Sequence, residues 1–411
     1  MCSFSPSGAS VRETGASLAT HQRSLGDPSL TYPLSPPLTR GCPRTSTDDL
    51  AYPLEVGYDH ERLDPRLFEQ EPGPDIARWA PLLPPLHAPT LGEGGTPLLD
   101  LGDGLHLKDE SRNPTWSHKD RLNRVTVSAA LAEGAPGVVV ASSGNHGASA
   151  AAYAARAGLR AVVLTSAGSP PAVQDFARAY GATVLSVPVE ERWPLLREIV
   201  DRLGYHPVSN QTVTHTGHPY GPEGYKTIAY ELFLQLGRVP AAVFSPTGYA
   251  ELLYGVWKGF TELRLLGLTR DVPRMFACEP AAGGPHARAL AAGAPAAIVE
   301  LGPTQAYGIA GPVGGHRGVR AVRDSGGEAV LVTDDEMRAA QRRLARLGVW
   351  QELSGAAGLA GYRKLARAFD GPVVCVATSS GFKDVGVGTR SYPARAGLTA
   401  RDVAALLEQD A

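Results

Sequence analysis

From about Ser117 onward the chain alternates between helix-forming stretches and short β-branched runs, and this pattern restricts the fold more than any other feature. A helical stretch from Ser117 to Glu133, ended by Gly134 and Pro136, precedes Val138-Val139-Val140; an Ala-rich one from Ala148 to Ala157, stopped by Gly158, precedes Ala161 to Leu164. Helix 172–180, strand 183–187 and helix 190–203 follow. The alternation resumes with helix 224–236, strand 241–245, helix 251–266, strands 275–279 and 329–332, helices 334–347 and 355–368, and strand 373–377. Strands separated by helices pair in parallel, with the helices covering the sheet faces. The expected fold is therefore α/β, with open, mostly parallel sheets. In such sheets ligands gather beyond the carboxyl ends of the strands, so the strand-to-helix loops are where chemistry belongs.

A chain of 411 residues suits two or three domains at roughly 150 residues each. The compact αβ block at 136–207 reads as a small domain, and 41–135 with 208–391 as a larger one, leaving 392–411 as a C-terminal helix or tail. Residues 1–40 mix Ser, Thr, Pro, Gly and Arg without periodicity and read as a disordered leader. Between Asp59 and Pro89 repeated prolines imply irregular wrapping with one short helix near Ile76 to Ala80.

Charge narrows the partners. Lys and Arg number 39 against 41 Asp and Glu, so no basic field attracts nucleic acid. The longest stretch free of Asp, Glu, Lys and Arg, Gly134 to Ala155, is broken by Ser142, Ser143, Asn145, His146 and Ser149, which excludes a spanning helix and with it a membrane partner. Four scattered cysteines without a CxxC pair, and no secretory start, favour a reduced cytoplasmic protein. His206, His215 and His218 share a loop without Cys or carboxylate at ligand spacing, so no metal is expected. G-x-S-x-G and G-x-G-x-x-G are both missing, against a serine hydrolase and a dinucleotide enzyme. A small-molecule partner remains.

Three strand-to-helix loops can present backbone N–H groups to an anion: Ser142-Ser143-Gly144-Asn145-His146-Gly147, Ser245-Pro246-Thr247-Gly248 and Thr378-Ser379-Ser380-Gly381. The chain has only six lysines. Lys258 and Lys364 fit exposed faces of amphipathic helices, and Lys108, Lys226 and Lys383 keep a claim as anion binders. Lys119 opens a helix beside His118 and Arg121, where desolvation and neighbouring cations would depress its pKa and free its amine.

The segment Lys108-Asp109-Glu110-Ser111-Arg112-Asn113-Pro114-Thr115, continued by Ser117-His118-Lys119-Asp120-Arg121, resembles the K-D-E-x-x-N-P-T-x-S-x-K-D-R stretch of threonine synthase and related fold type II pyridoxal-phosphate enzymes. Ser142 to Gly147 resembles that family's S-[SA]-G-N loop, Glu223 to Thr227 its E-G-x-K-T, Glu352 to Gly358 its E-x-S-x-A-x-G, and Thr378 to Asp384 its T-x-x-G-x-K-D. Tyr52 to Asp59 is similar to a further family segment, so the likeness runs from about residue 50 to 386 in the family's order.

The resemblance implies pyridoxal 5'-phosphate as cofactor, with Lys119 as its Schiff-base lysine and as the proton shuttle. It implies Asn145 at the phenolic oxygen, Thr378 at the pyridine nitrogen, and Ser142, Ser143 and His146 receiving the substrate carboxylate. The phosphate loop departs from the family's G-N-A-G-N type: Tyr249 and Leu252 replace asparagines and Glu251 replaces a glycine. Phosphate binding therefore carries over only to the backbone of Thr247, Gly248 and Ala250. The implied activity is β- or γ-elimination or replacement on a small amino acid, with a phosphorylated one among the candidates, in a homodimer. Cysteate synthase-like β-replacement, threonine or serine dehydratase-like deamination, and a non-catalytic paralogue binding pyridoxal phosphate or an amino acid are the alternatives.

Overall fold

The computed structural model describes residues 16–69, 71, 73–166, 169, 171–383 and 399–402. The chain enters through an antiparallel sheet of β1 (Ala19–Ser24), β2 (Thr31–Pro33) and β3 (Leu54–Tyr58), in the order β2-β1-β3. This corrects the reading of 16–40 as a disordered leader. The organiser is polar: buried Gln22 donates to the carbonyls of Pro33, Leu34 and Pro36 at 2.8, 3.0 and 2.9 Å and accepts the Leu38 amide at 2.9 Å. Residues 1–15, Asp384 and most of the expected tail lie outside the described residues.

The larger sheet contains β4 (Leu98–Asp100), β5 (Leu105–Asp109), β10 (Ala242–Pro246), β11 (Arg274–Pro280), β14 (Glu328–Val332) and β15 (Val373–Ala377), in the order β14-β11-β10-β15-β5-β4. All pairs are parallel except β4 with β5. The smaller sheet, β6 (Gly137–Ala141), β7 (Arg160–Thr165), β8 (Thr183–Ser186) and β9 (His206–Pro207), is wholly parallel in the order β8-β7-β6-β9. A ribbon of β12 (Ala297–Ile298) and β13 (Val313–Gly314) completes the strands among the described residues.

The central strands β6, β10 and β15 are buried on both faces and read as continuous apolar runs, whereas the edge strands β4 and β8 are partly exposed. In β10, Val243 joins a core with α1 (Lys119–Ala132), α5 (Gly221–Leu236) and α6 (Glu251–Leu265), while Ala242 and Phe244 face α9 (Asp334–Arg346) and α10 (Ala357–Leu365). In the smaller sheet, Val138 and Val140 pack with α2 (Asn145–Arg156) and α3 (Pro171–Ala179), and Val139 with α4 (Arg192–Leu203). Helix α1 contributes to both cores and ties the sheets together. Helices α7 (Pro285–Ala291) and α8 (His316–Asp324) had no counterpart in the sequence reading.

Helices α5 and α6 cross almost backbone to backbone: a Cβ on Gly255 would stand 2.6 Å from the Pro222 carbonyl oxygen. Between them lies a buried charge cluster. Lys258, expected on an exposed face, pairs with Glu223 at 2.5 Å, and Lys226 pairs with Glu223 and Glu262 at 2.8 and 2.9 Å. Lys108 is likewise buried, bonded to Glu231 at 2.7 Å, and Lys383 donates to the Thr115 carbonyl at 2.9 Å. The three lysines credited as anion binders are therefore committed to internal partners.

Candidate active site

The segments following β5, β6, β10 and β15 end at one cavity of about 210 Å³ between the two sheets. Lys119 reaches it from the first position of α1. The residues around it are fixed from beneath. Asp120 accepts from the Thr115 amide at 2.7 Å, the Thr115 hydroxyl at 2.5 Å and the Ser149 hydroxyl at 2.6 Å, and burial raises its carboxyl to about 6. Arg121 turns inward, not toward Lys119, donating to Glu110 at 2.7 and 2.8 Å and to Glu231 at 2.6 and 2.8 Å. It accordingly has no part in depressing the Lys119 amine, contrary to the sequence reading. Burial pushes that amine below its usual range, and this outweighs the opposing pull of Glu251 and Glu352. The Lys119 Nζ stands 5.6 Å from the centre of the Tyr225 ring and has no ion pair among the described residues.

The end of β15 is stitched to the same segment. The His118 amide and ring nitrogen contact the Thr378 carbonyl at 3.0 and 3.1 Å, the Ser380 amide donates to the Trp116 carbonyl at 3.1 Å, and the Ser379 hydroxyl to that carbonyl at 3.0 Å. Of the three consecutive hydroxyl residues only Thr378 lines the cavity.

From the smaller sheet comes the β6–α2 loop. The Ser142 hydroxyl accepts the Gly144 and Gly147 amides at 3.2 and 3.1 Å, so it caps α2 and shapes the loop. Helix α2 starts at Asn145, three residues before the expected Ala148, leaving the first-turn amides of Asn145 and His146 without intrahelical partners at the cavity. Asn145 Nδ2 donates to both oxygens of Glu352 at 3.0 Å, while Asn145 Oδ1 and His146 Nε2 are buried without a hydrogen bond. Burial, with Lys119 nearby, holds the His146 imidazole down to about 3 and so neutral.

Gly248 and Ala250 line the cavity at the start of α6, with Ala250 left-handed at φ 61°. Thr247 does not: its amide donates to the Cys278 carbonyl and its hydroxyl to the Ser245 carbonyl, both at 2.8 Å, so its expected place in a phosphate cradle is withdrawn. Tyr249 stacks on His215 with ring centres 4.3 Å apart.

Arg192 was missed. It follows β8 and enters the cavity from α4, donating to the Ser143 hydroxyl at 2.9 Å, and has no carboxylate partner among the described residues. Nothing in its local sequence marks it; only its position past a strand's carboxyl end could have done so.

These donors fit pyridoxal phosphate: a desolvated lysine amine, unsatisfied buried polar atoms at Asn145 and His146, and the open N-terminus of α6 for an anion. Residues 89–379 match the family described as pyridoxal-phosphate dependent enzyme, and the chain belongs to that family. It is a threonine synthase-like member: it is 36% identical over 355 residues to the threonine synthase of Methanosarcina acetivorans, covering 80% of this chain and 86% of that one. To the threonine synthase of Mycobacterium bovis it is 34% identical over 332 residues, covering 77% and 87%. Its backbone is similar to maize serine racemase (TM-score 0.62, 22% identity, 77% of this chain and 93% of that one) and to O-ureido-L-serine synthase (0.58, 25%, 76% and 96%). The expected fold type II architecture and cofactor therefore stand. No helix among the described residues is long and apolar enough to cross a membrane.

Proposed function

We propose that this chain catalyses β- or γ-elimination or replacement on a small amino acid with a phosphorylated side chain, in a cytoplasmic homodimer. The observation that carries the substrate class is Arg192. A half-buried guanidinium with no carboxylate partner among the described residues favours an anion that it can grip with two parallel N–H groups. The first-turn amides of α2, shaped by Ser142, suit the α-carboxylate, so Arg192 beside Ser143 is left for a second anionic group.

When bound, pyridoxal phosphate supplies the sink for the electron pair left at the substrate's α-carbon. Lys119 would hold it covalently and, once released, take the proton from the α-carbon; burial keeps the amine available for this. Asn145 would donate to the phenolic oxygen and Thr378 to the pyridine nitrogen. A hydroxyl at that nitrogen donates without protonating it, which moderates electron withdrawal and suits elimination and replacement better than transamination. Gly248 and Ala250 would offer their backbone to the phosphate. Neutral His146 closes the wall without adding charge. Because Arg192 and the Ser142–His146 loop come from the smaller sheet and Lys119, Gly248 and Thr378 from the larger, substrate binding would draw the two sheets together and exclude water.

The cytoplasmic setting is supported by free, buried Cys42, Cys278 and Cys375, and the homodimer by family resemblance. The test is turnover of O-phosphohomoserine, O-phosphoserine, threonine and serine, with products identified by mass spectrometry. Phosphate release from a phosphorylated amino acid, weakened at least tenfold in KM by Arg192→Met, is expected. Turnover of threonine or serine alone would move the chain to the dehydratase reading.

A further inference from the structure

Tyr249, which stands where the family loop carries an asparagine, has no part in the chemistry described so far. It follows β10 in the turn before α6 and lines the cavity. Its ring is fixed on two sides: it lies flat on His215, the ring planes 5° apart, and a Cβ on Gly311 would stand 3.1 Å from Cε1. Burial holds the His215 imidazole well below its usual range, so the stack is between neutral rings. Burial likewise raises the Tyr249 phenol, which therefore keeps its proton as a hydrogen-bond donor. Among the described residues that hydroxyl has no hydrogen-bond partner.

The charged groups that act on it are Arg192 and Glu251. Glu251 lies two residues on, at the start of α6, and packs against Gly217. Arg192 comes from the opposite wall, where α4 of the smaller sheet enters the same cavity, and its guanidinium is anchored to the Ser143 hydroxyl at 2.9 Å. A cation and a neutral donor thus border one space from two sheets, and neither is hydrogen-bonded to a carboxylate among the described residues.

The number of oxygens decides what fits between them. Two parallel N–H groups of a guanidinium occupy both oxygens of a carboxylate, but only two of the three terminal oxygens of a phosphate monoester. The third needs a donor from another direction. A second cation would repel Arg192, whereas a phenol adds a hydrogen bond without charge.

We propose that Tyr249 is a specificity-determining residue: its hydroxyl donates to the third oxygen of the substrate's phosphate while Arg192 grips the other two. The substitution in the loop then sharpens the preference for a phosphorylated side chain over a carboxylate or a neutral hydroxyl. This rests on the reading that Arg192 receives that phosphate.

The test uses the full chain loaded with pyridoxal phosphate, with inorganic phosphate as the probe, titrated calorimetrically. Tyr249→Phe keeps the ring and its stack and removes only the hydroxyl. It should weaken phosphate binding about tenfold or more, as loss of a hydrogen bond to a charged acceptor does, and raise KM for the phosphorylated substrate by a similar factor. Cofactor absorbance, unfolding temperature and kcat should stay as in wild type. Phosphate affinity equal to wild type overturns the inference. So does a loss accompanied by a lower unfolding temperature or kcat, which would make Tyr249 a wall of the cavity and no more. Combined with Arg192→Met, the loss should fall short of the product of the two single losses, because both side chains hold one anion; a full product overturns the shared grip. If wild type binds no phosphate, or Arg192→Met leaves its binding unchanged, the reading of Arg192 fails with this one. If Arg192→Met weakens binding and Tyr249→Phe does not, the assignment of Tyr249 fails alone.

Discussion

Replacing Glu231 by Gln probes the foundation under Lys119. The buried cluster holds two cations, Lys108 and Arg121, against two anions, Glu110 and Glu231. Glu231 is 1% exposed and also accepts the Gly95 amide at 2.9 Å. An amide in its place leaves one uncompensated buried charge, which costs about 3–5 kcal/mol when a buried pair is broken. The low end applies, because Arg121 retains Glu110, and Lys108 retains the Thr96 carbonyl at 2.7 Å and Gln235 at 2.9 Å. About 3 kcal/mol corresponds to a roughly 150-fold change in the folding equilibrium. At about 2.1 cal/mol/K per residue over 411 residues, the unfolding temperature falls by about 3–4 °C. The deficit should shrink with pH. Burial already holds the Lys108 amine below its ordinary 10.5, and loss of Glu231 lowers it further. The native state then binds fewer protons than the unfolded chain between that lowered value and about 10.5, so stability rises with pH across that window. Scanning calorimetry from pH 7 to 10 measures this. Adding Lys108→Met should recover most of the loss. A shift below 1 °C, or no recovery in the double variant, would refute the reasoning.

Three further outcomes follow from single residues. Burial raises the Glu55 carboxyl, but Lys258 and Arg23 prevail and hold it down to about 2; its contribution, at most about 3 kcal/mol, is full above 4.5 and lost as pH falls toward 2, so acid unfolding of Glu55→Gln should lack that steep component. Gly217→Ala places a side chain at φ 58° against the Glu251 carboxylate, and should cost at least about 1–2 kcal/mol from the backbone alone, seen as a lower urea midpoint. Thr378→Val should reduce turnover at least tenfold while cofactor absorbance is retained; unchanged turnover would remove Thr378 from the pyridine site.

The αβ alternation was legible because the central strands, such as β6, β10 and β15, are buried on both faces, so apolar runs mark them and glycine stops mark the helices between. What escaped is held by polar atoms. Strand β1 depends on Gln22, whose partners are four backbone groups, and no periodicity reports such a site. Lys258 looked like a solvated helical lysine because its shortest carboxylate contact, Glu223, comes from another helix, while Glu262 one turn along its own helix fits an exposed pair equally well. Helix α8 went unseen because its sequence, His316–Asp324, is rich in arginine although Arg317 is buried. In the candidate site, Lys119, Asn145 and Thr378 could be singled out because short motifs accompany them, and all three line one cavity. Thr247 failed because a hydroxyl-rich loop does not reveal which amides the neighbouring strand has already taken.

The most direct test of the account is where the cofactor attaches. Purified protein should bind pyridoxal phosphate and absorb in the visible, and borohydride reduction followed by peptide mass mapping should place the label on Lys119. This is the one lysine that lines the cavity; Lys108 and Lys226 are buried among carboxylates. A label on Lys226 or Lys108, or no label, would contradict it.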